Sequence, residues 1–167
     1  MNGTALMLDA VHGAETRLAD GFETVAERHR HEPEIRHVAT DLAGWSRDHA
    51  ARLTEAARDR GLSELAAPGT GFGHSAVLLR ETSDEALGYR PGLLLLRDLL
   101  DLHAAAGANS LYWDMLTALA KATKDEGLLD LANSCHPRTR RQVAWARSMI
   151  EVLSPQALAS APEARSH

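Results

Sequence analysis

The placement of its breaks constrains this chain most. Four long segments carry apolar residues at helical spacing. A short turn joins the first to the second and another joins the third to the fourth, while about thirty glycine-rich residues separate the two pairs. The first segment, about 4–30, lines up Leu8, Val11, Leu18, Phe22 and Val25 on one side. The second, about 33–60, opens with Pro33, a residue suited to the first helical turn, and stops at Gly61. Its seam is Ile35, Val38, Leu42, Trp45, His49, then Arg52 or Leu53, then Ala56. The third runs over about 91–123, and "KDEG" turns the chain into the fourth, about 128–153. Pro137 is expected to break or kink the fourth helix by removing an amide donor and clashing with the carbonyl of Asn133. Pro155 is expected to end it, leaving 156–167 as a flexible tail.

A connection as long as 61–90 is uncommon unless it travels from one end of a bundle to the other. Within it only "SAVLLRETSDEAL" has the makings of a short helix, and "GTGFGHS" lacks the lysine and preceding strand of a phosphate loop. The predicted fold is therefore an all-α four-helix bundle over 1–155, built as two antiparallel hairpins joined by one long crossover. Composition agrees: 44% of residues are apolar but only 4% aromatic, so alanine and leucine carry the packing.

Other classes are argued against more than for. A net charge of −5 disfavours a general phosphate-binding surface. Cys135 stands alone, which excludes an internal disulfide and suits a reducing cytoplasm. Apolar runs such as Leu93–Leu96 are far too short for a bilayer, and the first residues lack the basic region of a signal peptide. The expectation is a cytoplasmic protein with no membrane partner.

Two seam positions are polar. Glu15 falls between Val11 and Leu18, and His49 sits where helix 2 asks for a hydrophobe. Residues equally far from a hairpin turn lie at one height. With the turn at Glu32, Glu15 is seventeen residues before it and His49 seventeen after. They are predicted to face each other near mid-bundle, to within about 3 Å for a two-residue error in the turn. Ser46 lies one turn from His49, and His12 one turn from Glu15. In the second hairpin the same level holds Asn109 and Ser110 opposite Arg141 and Gln142.

With this layout the chain resembles the ferritin-like superfamily of carboxylate-bridged di-metal bundles. Their usual pattern is one Glu on helices 1 and 3 and Glu-x-x-His on helices 2 and 4. Glu15 matches the first position, and "SRDH" puts His49 on a histidine but Ser46 where a glutamate belongs. Helix 3 offers Ala106, Asn109 or Ser110, and the best-levelled pair on helix 4 is Thr139 and Gln142. The resemblance covers nearly the whole chain in architecture, yet two of six usual ligands remain. "AETRLADGF" and "VLSPQAL" are also similar to segments of uncharacterised bacterial ferritin-like proteins, which implies no activity.

One glutamate and one histidine cannot balance two ions in a dry core. The expectation is thus a bundle with a degenerate metal centre and a non-catalytic structural or protein-interaction role, forming a homodimer or higher homo-oligomer without a cofactor. The alternative is a metal-binding or redox protein holding a single divalent ion, zinc or iron, on Glu15, His49 and His12. A weaker alternative is a nucleic-acid-associated regulator working through Arg138, Arg140 and Arg141, which the acidic charge opposes.

The remaining candidates read as structural. His29, His31 and His37 crowd the first turn and read as solvated, and His103 lies between Leu99 and Ala106 with its role open. Cys135 reads as a small core residue; His136, its neighbour, points about 100° away and makes no dyad with it. Trp45, Trp113 and Trp145 read as core filling, and Val143, Ala146 and Ile150 as the inward side of helix 4.

Overall fold

The computed structural model describes residues 2–62, 65 and 90–159. Its elements are four helices, α1 (Gly3–Arg28), α2 (Pro33–Asp59), α3 (Pro91–Thr123) and α4 (Glu126–Ala159), forming an all-α four-helix bundle. The ends are set by local chemistry. Asn2 caps α1 by accepting the Ala5 amide at 2.7 Å. Gly61, at φ 68°, closes α2 as the amide of Leu62 returns to the carbonyl of Ala57. Lys124 closes α3 in the same left-handed conformation, and Asp125 Oδ1 then accepts the Leu128 amide to start α4.

α1 packs on α2 and α3, and α4 packs on α3 and α2, so α1/α4 and α2/α3 are the diagonals. Arg60 at the end of α2 pairs with Asp125 at the start of α4, at 2.6 and 2.9 Å. At the opposite end Arg28 and His29 meet Asp98 near the start of α3. α2 therefore ends and α3 begins at opposite ends of the bundle. The expected crossover and the short helix and turn within it lie almost wholly outside the described residues, as does the tail beyond 159.

Helix 4 is not split at Pro137 and does not end at Pro155. It is continuous through Pro137 and continues past Pro155 to Ala159. Asn133 and Pro137 are both exposed, so water can take over the bond that the Asn133 carbonyl loses. Glu151, whose carbonyl loses its partner to Pro155, is exposed too.

The interior is two apolar clusters, not one. The first gathers Leu8, Val11, Leu53, Trp113, Leu116, Leu128 and Cys135. The second gathers Leu18, Phe22, Val25, Leu42, Leu95, Leu99 and Leu102. On every helix a buried polar residue lies between them: Glu15 on α1, Ser46 and His49 on α2, Asn109 on α3, Thr139 and Gln142 on α4.

Candidate functional site

This polar layer is the candidate site. Glu15, Ser46, His49, Thr139 and Gln142 have no exposed surface, and Asn109 is 3% exposed. The level read from the first hairpin holds: His49 Nδ1 lies 3.2 Å from Glu15 Oε1. The same oxygen accepts the indole N–H of Trp113 at 2.8 Å. The His49 and Trp113 rings meet nearly edge to face, 5.8 Å between centroids. Trp113 is thus a polar partner of Glu15 as well as a core filler. The sequence carried a faint sign of it, since a buried indole N–H needs an acceptor and Glu15 is the acidic residue on the α1 seam.

On the other side of the layer the Gln142 side-chain amide donates to Ser46 Oγ and to the Leu42 carbonyl, both at 2.9 Å. Ser46 and Gln142, read from the sequence at a glutamate and a histidine position, are bonded to each other. Glu15 Oε2, His49 Nε2, Asn109 Nδ2, Thr139 Oγ1 and Gln142 Oε1 are buried without a partner among the described residues.

His12 is half-buried one turn before Glu15. Its pKa is lowered by burial, with Asp9 opposing the shift. Among the described residues no three His, Cys, Asp or Glu side chains gather as a metal-holding group. Glu15 and His49 are thus brought together, while His12 does not complete a trio with them.

Three other residues differ from their sequence reading or extend it. His29 is not solvated: it is 7% exposed, with Nε2 2.7 Å from Asp98 Oδ2. Arg28 and Arg97 bond Asp98 Oδ1 at 2.7 and 3.3 Å. Burial raises the Asp98 carboxyl, but the bonds and charges of His29 and Arg28 outweigh it and hold the pKa below its ordinary value. The signal was an Arg-Asp pair set in the apolar run "LLLLRDLL". His136 is buried, 2.8 Å from Ser110 Oγ; burial, then Arg140, lower its pKa. Arg138 pairs with Asp48 at 3.2 Å and lies over the Trp45 ring, while Arg140 and Arg141 are exposed.

Trp113 is fully buried, while Trp45, Val143, Trp145 and Ile150 pack half-buried against the second cluster. His31 and His37 are exposed and His103 is half-buried. Cys135 is fully buried, and burial pushes its thiol up to about 11. Trp145 packs near Phe22, with ring centroids 6.2 Å apart.

No protein-family model matches the chain, and no curated protein matches it in sequence. No helix among the described residues is long and apolar enough to cross a membrane.

Proposed function

We propose that this chain is a ferritin-like bundle that has given up its di-metal centre and works as a non-catalytic structural or protein-interaction module, self-associating through α3. The helix order supports the kinship: α1 and α3 run antiparallel, as up-down-down-up connectivity requires. The observation that carries the loss of chemistry is the make-up of the polar layer. Its six buried residues include one carboxyl and one imidazole, and the other four are neutral. Two ions need several anionic oxygens, so these residues do not fit a di-metal centre, and no catalytic step follows from one.

The interaction role rests on the outer side of α3. Ala104, Ala108, Leu111, Met115, Ala118 and Ala122 follow steps of four and three, the spacing of a helix-pairing seam. Leu111 is 63% and Met115 46% exposed. From Leu102 to Ala120 the only acidic residue is Asp114, with no lysine or arginine. A second copy of the same seam is the natural partner for so uncharged a stripe. Sedimentation of native protein against the double variant Leu111→Glu/Met115→Glu tests this. The native chain is expected to sediment as a dimer or larger and the variant as a folded monomer. A native monomer at tens of micromolar would refute self-association.

A second reading has its own support. Glu15 Oε2 and His49 Nε2 are both buried without a partner among the described residues, and a single divalent ion, zinc or iron, would use both. Stoichiometric metal that disappears in Glu15→Ala and His49→Ala would establish it.

A further inference from the structure

Five side-chain atoms from all four helices end in the polar layer without a partner among the described residues: Glu15 Oε2, His49 Nε2, Asn109 Nδ2, Thr139 Oγ1 and Gln142 Oε1. Buried polar groups in folded proteins are paired almost without exception, and each unpaired one is costly. Five such atoms between two apolar clusters call for partners that no described side chain supplies.

Thr139 makes the point most sharply. Thr16, Thr24, Thr40, Thr54, Thr117 and Thr123 all turn their hydroxyls back to the carbonyl four residues earlier, at 2.7–3.1 Å. That bond is the ordinary refuge of a helical threonine. Thr139 forgoes it although fully buried, so its hydroxyl is committed to the interior. Gln142 behaves alike: its amide nitrogen is used twice, on Leu42 and Ser46, while its oxygen is left over. Glu15 concentrates two contacts on Oε1 and leaves Oε2 bare.

We propose that the polar layer is an internal hydration site, in which one or more long-lived water molecules bridge Thr139, Gln142, Glu15, His49 and Asn109 across the four helices. The set suits water in particular. It mixes a donor amide, acceptor oxygens, an imidazole nitrogen and a hydroxyl that serves as either, and a buried water makes two to four such bonds. Water also explains how an unpaired carboxyl oxygen can sit with no exposed surface between apolar clusters. The proposal rests on the first functional reading, because a bound ion would take the same lone pairs.

Two measurements test it. Oxygen-17 magnetic relaxation dispersion on the native protein reports internal water with residence times far longer than surface water; a clear dispersion is expected, and smaller in Thr139→Val. Thermal unfolding of Thr139→Val gives an independent sign. Valine has the shape of threonine without the hydroxyl, so a water that loses a partner lowers Tm by about 2–4 °C, the shift of roughly 1 kcal/mol in a chain this size. If the hydroxyl has no partner at all, removing it raises Tm. Absence of long-lived water in the native protein, or a raised Tm, overturns the proposal. Should the variant fail to fold, the native dispersion still decides. Metal content of the same sample separates the failures: stoichiometric metal sinks the functional reading too, whereas a dry, metal-free layer sinks the hydration site alone.

Discussion

Replacing Glu15 by leucine is the most informative single perturbation of this bundle, because one oxygen serves two buried partners. Glu15 Oε1 takes the Trp113 N–H at 2.8 Å and contacts His49 Nδ1 at 3.2 Å, and all three residues are fully buried. Glu15→Leu strands both groups. Each buried group left unpaired costs about 1–3 kcal/mol, hence about 2–6 kcal/mol together. Burying a leucine side chain returns about 2 kcal/mol. The net loss is then roughly 0–4 kcal/mol, against a total stability of about 5–15 kcal/mol for a domain. In Glu15→Leu/His49→Leu only the Trp113 N–H is stranded, and two hydrophobes fill the layer. That double variant is expected to be more stable than Glu15→Leu alone, with a coupling of about 1–3 kcal/mol. Urea unfolding of the native chain, Glu15→Leu, His49→Leu and the double variant, read as midpoints at a common m value, closes the cycle. A double variant as unstable as Glu15→Leu, or costs that simply add, would refute the view that the pair is a mutual satisfaction device.

Other outcomes follow from the ion clusters and the buried thiol. Asp98→Ala strips a buried carboxyl from Arg28, Arg97 and His29 and should cost about 3–5 kcal/mol in denaturant unfolding. Because the folded-state pKa of Asp98 is depressed, its contribution is present above the unfolded carboxylate pKa of about 4 and is lost as pH falls through the lower folded value. Asp98→Asn should flatten that acid limb. The imidazole of His136 is also held below its ordinary value, so the unfolded chain binds its proton first and stability declines as pH drops below about 6.5. His136→Asn should reduce the slope of Tm between pH 7 and 5, and an unchanged slope would count against this. Cys135, fully buried with its thiol pushed up to about 11, should stay unreactive toward a disulfide reagent at pH 8 until urea unfolds the bundle. Prompt reaction of the native protein would contradict that placement.

The helices and their level were legible because they depend on period and on breaks. Pro33 and Gly61 mark α2 within a residue, and the two exceptions to the seams, Glu15 and His49, meet because a hairpin turn fixes equal heights. Period gives a face but not a partner. Nothing in spacing alone joins Gln142 to Ser46 or Trp113 to Glu15, which depend on how α4 and α3 dock on the first hairpin. Pro155 misled for a related reason, and Pro137 does not split its helix. A proline breaks a helix through an unsatisfied carbonyl, and its cost falls when that carbonyl lies at an exposed residue, as at Asn133 and Glu151. His29 was hidden by its place in a turn, since its buried partner Asp98 is 69 residues away.

The proposed loss of the di-metal centre implies a polar layer that takes up no metal between the two apolar clusters. Its most direct test is metal stoichiometry after the purified chain is loaded with zinc or, without oxygen, with ferrous iron and then desalted. Far less than one ion per chain is expected, with no difference between native protein, Glu15→Ala and His49→Ala. One ion per native chain, lost in both variants, would contradict it.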